Sequence, residues 1–216
     1  KALLSYKATT TGTYYLRASE SNDSSTVTYS VQATAVIDDY DDTTTDATAL
    51  TLGTLKNGNI EAAGDSDYFK VTLTAGKKYL FEMNDLTLGS SGYANLNLYD
   101  SNGNYLAYGY ESNNKALLSY KATTTGTYYL RASESGNDST GTYTVKATAV
   151  TDDYGDTTTT AKALALETTL NGNIEVPQDV AYFKVSLTAG KKYYFEMKDL
   201  TLGTSGSAYL NLYNSS

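Results

Sequence analysis

The stretch KALLSYKATTTGTYYLRASES runs from Lys115 to Ser135 and, letter for letter, from Lys1 to Ser21. In the first copy Leu3, Leu4 and Tyr6 read as a short strand, Thr9 to Gly12 as a turn, and Thr13 to Ala18 as a second strand with Tyr14, Leu16 and Ala18 on one face. An apolar period of two on either side of a polar turn is the pattern of half-buried antiparallel strands, not of a helix. The offset of 114 residues from Lys1 to Lys115 also carries the rest of the sequence onto itself without insertion or deletion. Asp38-Asp39-Tyr40 returns as Asp152-Asp153-Tyr154, and Asn57-Gly58-Asn59-Ile60-Glu61 as Asn171-Gly172-Asn173-Ile174-Glu175. Solenoid units run roughly 20 to 50 residues and whole domains roughly 100 to 150, so the period is that of a domain. The chain therefore reads as a tandem array, with 1–36 the C-terminal part of a repeat, 37–150 a complete repeat, and 151–216 the N-terminal part of the next.

Outward from the repeated stretch, the complete unit opens with Asp38-Asp39-Tyr40-Asp41-Asp42-Thr43, acidic and without apolar periodicity, which reads as a linker or loop. Strands are expected around Gly58 to Glu61, over Tyr68 to Leu73 with Phe69, Val71 and Leu73 inward, and over Lys78 to Met83 with Tyr79, Phe81 and Met83 on one face. After a loop at Leu88 to Gly92, Ala94, Leu96 and Leu98 alternate with polar neighbours, and Asn102-Gly103 signals a hairpin into a strand over Tyr105 to Tyr110. Leu117 to Tyr120, Thr127 to Ala132 and Thr142 to Thr148 complete the set. Short strands punctuated by Gly, Asn, Asp and Ser predict an all-β chain of tandem antiparallel β-sandwich domains, jelly-roll-like and about 114 residues each.

Composition narrows the function classes. There is no Cys, Trp or His, and 22 Tyr stand against 4 Phe, so most large apolar surface arrives on rings that also carry a hydroxyl. Without Cys there is no disulfide staple and no thiolate chemistry. A net charge of -8 argues against nucleic acid, which needs clustered Lys and Arg. No apolar run approaches the roughly 18 residues of a membrane span, so no membrane insertion is expected. A chain that opens on Lys rather than Met reads as a portion of something longer. With no His base, no Cys nucleophile and no Ser in a nucleophile motif, the chain is not expected to be an enzyme; a carboxylate pair such as Glu61 with Glu82 has nothing to place it in a cleft.

Several motifs together carry a resemblance. Gly64-Asp65-Ser66-Asp67-Tyr68-Phe69-Lys70-Val71, Leu73-Thr74-Ala75-Gly76-Lys77-Lys78-Tyr79, Leu96-Asn97-Leu98-Tyr99-Asp100-Ser101-Asn102-Gly103 and Gly126-Thr127-Tyr128-Tyr129-Leu130 closely resemble the bacterial pre-peptidase C-terminal (PPC) domain. The resemblance implies a secreted bacterial β-sandwich module, related to the collagen-binding domains of bacterial collagenases. It further implies calcium held between the acidic opening and the Gly-Asp-x-Asp motif, by Asp38, Asp39, Asp65 and Asp67. Such a set is chemically sensible, because calcium takes six to eight hard oxygens. The family's Glu ahead of the opening pair is replaced by Ala35-Val36, and the next repeat has Asp179-Val180-Ala181, one carboxylate short. Asp38 to Asp42 also reads as a plain solvated acidic loop. Asp100 to Asn104 lacks the downstream Glu of a calcium loop and reads as a hairpin turn.

Two functions follow from different classes. Near-identical copies fit a secreted or cell-surface structural or adhesive protein, a fibre, matrix component or adhesin stalk. Its partners are copies of itself or neighbouring repeats, and possible partners include an extracellular protein or polysaccharide. The two partial repeats complete one another except for the counterparts of Gly103 to Asn114, so chains could join head-to-tail by strand complementation; a window onto a longer continuous array is the alternative. The competing function is a substrate-binding module appended to a secreted hydrolase. Tyr105, Tyr108, Tyr110 and Tyr129 are the candidate ligand or self-association surface, with ordinary strand packing as the alternative for each.

Overall fold

A computed structural model describes residues 2, 4–20, 26, 28–84, 87, 93–112, 114–137, 139–198, 201 and 207–214, without the side chains of Tyr110 and Ser112. The expected loop at 88–92, Leu3 and the Tyr110 side chain lie outside the described residues.

Two five-stranded sheets face each other. The first has the order β1 (Thr48–Ala49), β3 (Ser66–Leu73), β9 (Gly126–Glu134), β5 (Ala94–Tyr99) and β6 (Tyr105–Tyr108). The second has the order β2 (Leu55–Ile60), β10 (Gly141–Val150), β4 (Lys78–Asn84), β8 (Lys115–Lys121) and β7 (Tyr110–Ser112). Within these two sheets the described pairings are antiparallel except the short parallel contact of β1 with β3. The principal strands alternate between the sheets in jelly-roll order.

The period-two residues supply the core. Phe69, Val71 and Leu73 of β3, Tyr79, Phe81 and Met83 of β4, and Ala94, Leu96 and Leu98 of β5 are all buried. They meet Leu118 of β8, Leu130 of β9 and Val145 of β10 between the sheets. Asp100 makes the expected hairpin turn itself: its carboxylate accepts hydrogen bonds from the backbone N–H groups of Asn102 (2.9 Å) and Asn104 (2.8 Å) and from Asn104 Nδ2 (2.8 Å).

One expected strand is two. Tyr105 to Tyr110 starts in the first sheet as β6 and ends in the second as β7. The crossing is at Gly109, whose N–H donates to Leu96 O at 2.7 Å. A Cβ there would lie 3.1 Å from Leu96 Cβ and 3.4 Å from Ala116 Cβ, so a residue without a side chain lets the chain pass over the edge of the core.

The flanks differ from the sequence expectation. Among the described residues of 1–36 no strand forms, and Tyr15, Leu16 and Val31 are exposed. Strand pairing needs a partner, and the sheets of 37–150 are already paired with their own β8, β9 and β10. One local feature survives. Tyr14 donates its hydroxyl to Thr10 O at 2.8 Å, as Tyr128 does to Thr124 O at 2.9 Å one repeat later. In 151–216 the described strands are β11 (Lys162–Ala163) and β12 (Phe183–Lys184), paired in parallel in the register of β1 with β3. Tyr154 packs edge-on against Phe183 at 4.8 Å, as Tyr40 does against Phe69.

Candidate metal site

The acidic opening segment lies along the turn that joins β2 to β3. Tyr40 anchors it: its ring packs on Phe69 and its hydroxyl donates to Asn57 O at 2.7 Å. Asp39 Oδ2 then accepts from the backbone N–H (3.0 Å) and side-chain amide (3.1 Å) of Asn59, while the Asp39 N–H donates to Glu61 Oε1 at 3.2 Å. Further along, Tyr68 N–H donates to Asp41 O at 3.1 Å. The turn is closed by Asp65, whose carboxylate accepts from the backbone N–H of Glu61 (3.0 Å) and of Ser66 (2.7 Å).

These contacts bring the carboxylates together. Asp38, Glu61 and Asp65 each offer an oxygen within 4.8 Å of the others, and so do Asp38, Asp39 and Asp67. All four residues implied by the resemblance are therefore in one place, with Glu61 as a fifth that the sequence reading did not assign to it. The spacing held a signal for Glu61: it stands four residues before Asp65, at the opposite end of the same turn.

Asp67 is fully buried. One oxygen accepts a hydrogen bond from the Tyr143 hydroxyl, contributed by β10. The other, Oδ1, is buried with no hydrogen-bond partner, as is Glu61 Oε2. Gly58 makes the tyrosine contact possible, because a Cβ at that position would sit 2.7 Å from Cε1 of the Tyr143 ring. Tyr143 was not legible as part of the site, since its alternation on β10 reads only as core.

Burial and mutual repulsion govern the protons here. Burial first, then the charges of Asp65, Asp39 and Glu61, push Asp67 up to about 9, against the lowering effect of the Tyr143 hydrogen bond. Burial pushes Asp65 up to about 7, and burial with the neighbouring Glu61 pushes Asp39 up to about 6. The corresponding segment 114 residues on supplies an internal comparison. Asp179, the counterpart of Asp65, is also pushed up by burial, but hydrogen bonds with Glu175 and with the Lys78 ammonium bring it below the ordinary carboxylate value. The Lys78 ammonium thus adds to the Glu175 hydrogen bond in favouring the ionised form. Orphaned buried oxygens and converging carboxylates that resist ionisation fit a hard divalent cation.

Of the candidate tyrosine surface, Tyr105, Tyr108 and Tyr129 lie on the first sheet, whereas Tyr110 begins β7 of the second. Tyr105 and Tyr108 are exposed on β6 and Tyr129 is half-buried on β9. Tyr99 links them in part, with its ring 6.0 Å from Tyr105 and 6.2 Å from Tyr68. Its cross-strand neighbours are Tyr129 and Tyr105.

Residues 65–134, from the second acidic motif to the end of β9, match the bacterial pre-peptidase C-terminal domain. No curated protein sequence matches the chain. Among solved structures it is similar to the pre-peptidase C-terminal domain of a collagenase from Bacillus anthracis, at 22% identity over 47% of this chain and 93% of that one, with a TM-score of 0.40. It is also similar to PliG of Aeromonas hydrophila, a periplasmic inhibitor of g-type lysozyme, at 10% identity over 48% of this chain and 97% of that one, with a TM-score of 0.35.

Proposed function

We propose that this chain is part of an extracellular bacterial structural or adhesive protein, built from tandem β-sandwich repeats that calcium stabilises. The observation that carries the reading is the letter-for-letter repetition of Lys1–Ser21 at Lys115–Ser135. Selection for a binding pocket or a catalytic centre acts on single residues. Repeating a long stretch without variation suits a role in which the number and stiffness of units matter. The match of residues 65–134 to a bacterial domain family supports a bacterial origin and export.

Asp38, Asp39, Glu61, Asp65 and Asp67 would hold the ion. A bound divalent cation supplies the positive charge that the buried carboxylates lack, so that they ionise without repulsion. Since Asp38 and Asp39 lie in the opening segment and Asp65 and Asp67 around the start of β3, their shared hold fastens the linker to the sandwich. Chelation with EDTA is expected to lower the melting temperature. Asp65→Ala together with Asp67→Ala should abolish that response, and an equal melt with and without EDTA in the parent protein would defeat the metal reading. Electron microscopy of the native material tests the structural role: filaments support it, whereas dispersed compact particles refute it.

A second reading is a module that binds protein or polysaccharide beside a secreted hydrolase. The exposed rings of Tyr105 and Tyr108, continuous with Tyr99, favour it, because amphipathic rings stack on sugars and on protein surfaces. A catalytic domain in the parent gene would decide for this reading.

A further inference from the structure

Lys78 and Lys121 face each other directly across the antiparallel pair β4 and β8. Like charges in that relation repel and weaken a sheet unless anions meet them. The anions come from the next repeat. The Lys78 ammonium donates to Asp156 Oδ1 at 2.7 Å and to Asp179, and lies 3.5 Å from Asp152 Oδ2. Lys121 donates to the second oxygen of Asp156 at 3.1 Å. The contact is enclosed: the side chains of Lys78 and Asp179 are 7% and 2% exposed. Beside it, residues of β6 and β8 line a cleft of about 300 Å³ together with Pro177 and Gln178 of the next repeat. Burial alone would lower the Lys78 ammonium, yet hydrogen bonds with Asp156 and Asp179 raise it above the ordinary lysine value, so it stays charged.

One pair of this contact, Lys121 with Asp156, has a counterpart 114 residues earlier. Lys7 is the counterpart of Lys121 and Asp42 of Asp156, and Lys7 Nζ lies 3.2 Å from Asp42, 3.2 Å from Asp38 and 3.3 Å from Asp41. Lys7 and Lys121, which occupy equivalent positions, are 58% and 46% exposed, and Lys78 is the enclosed lysine of the contact.

We infer that Lys78 and Lys121 form a docking face for the acidic opening of the following repeat, and that this ammonium–carboxylate clasp fixes the angle between successive repeats. Its carboxylates, Asp152, Asp156 and Asp179, are the counterparts of Asp38, Asp42 and Asp65. Asp38 and Asp65 belong to the candidate metal site of the complete repeat, so at each junction the lysines of one repeat and a metal compete for the opening of the next. The clasp itself needs no metal.

The absence of cysteine makes the test direct. Spin labels are placed at Thr72→Cys and Thr169→Cys, both exposed, in the full chain, and the inter-label distance distribution is recorded by pulsed electron resonance in EDTA at low salt. A narrow distribution is expected in the parent. It should broaden roughly twofold or more in Lys78→Gln/Lys121→Gln, because domains without a firm interface move relative to each other by default. Lys78→Arg/Lys121→Arg should keep it narrow. Asp156→Asn/Asp179→Asn alters only residues outside the two five-stranded sheets and should broaden it equally, so the outcome is readable even if the lysine variant unfolds the sandwich. A broad distribution in the parent, or an unchanged one in the aspartate variant, overturns the inference. Because chelator is present throughout, failure of calcium binding leaves the result intact.

Discussion

Replacing Asp67 by Asn isolates the most strongly shifted group of the acidic cluster. Asp67 is fully buried and its carboxyl is pushed up to about 9, whereas in an unfolded chain it returns to the ordinary aspartate value. Between those two values the folded protein holds a proton that the unfolded chain has lost. The stabilisation is therefore present in full at low pH and is lost as pH rises toward 9, with a slope of about 1.4 kcal/mol per unit. From pH 6 to pH 8 the metal-free protein should lose about 2.7 kcal/mol through this residue, or roughly 10 °C of melting temperature for a domain of this size. Asparagine has nearly the same shape, carries no proton to lose, and can still accept from Tyr143 through Oδ1. The variant should therefore keep only the shares of Asp65 and Asp39, whose values of about 7 and about 6 act in the same direction and together amount to about 1.8 kcal/mol over that interval, so that its loss is less than half the parent's. Circular dichroism melts of parent and variant at pH 6, 7 and 8 in EDTA make the comparison. A parent whose melting temperature is flat or rises with pH, or a variant with the parent's slope, would refute the argument. Excess calcium should flatten the parent's slope, since a ligand at about 100 times its dissociation constant adds about 2.7 kcal/mol.

Gly58→Ala should cost about 1 to 3 kcal/mol by chemical denaturation, because the new methyl group overlaps the Tyr143 ring and forces it away from Asp67; a neutral result would mean the ring does not lie there. Tyr128→Phe removes the hydroxyl that donates to Thr124 O and should cost about 1 kcal/mol while leaving any response to calcium unchanged. Leu130→Ala, in the middle of the core on β9, should cost about 2 to 5 kcal/mol in the same assay.

The strands of residues 37–150 were legible because each one alternates. Phe69, Val71 and Leu73, or Ala94, Leu96 and Leu98, leave no choice of buried face, and a register slip of one residue would expose them all. The crossing at Gly109 was not legible, since Tyr105 to Tyr110 alternates no differently on either side of it; only the glycine inside the run marked a place of close approach. The flanks misled for the opposite reason. Tyr14, Leu16 and Ala18 have the right period, but period describes a face and says nothing about whether a partner sheet is there to cover it. At the acidic site, Asp38, Asp39, Asp65 and Asp67 could be nominated by motif, because motif residues lie within two short segments. Tyr143 could not, standing 76 positions from Asp67 with nothing local to mark it except the glycine that makes room for its ring.

The corner that Tyr128 closes over Thr124 is also closed by Tyr14 over Thr10, in a segment whose described residues form no strand. It therefore depends on a handful of neighbouring residues and forms at little cost in chain entropy. During synthesis such a corner can close as soon as it leaves the ribosome, long before the partners of β8 and β9 have been made. That order matters in a chain that carries the Lys115–Ser135 stretch twice without change, because its strands then have an equally good counterpart in the other copy, and exchange between copies is the characteristic misfolding of repeated domains. A prefolded corner ties β8 to β9 within one copy and delivers them as a unit. Each repeat is thus biased to finish itself before its neighbour can compete.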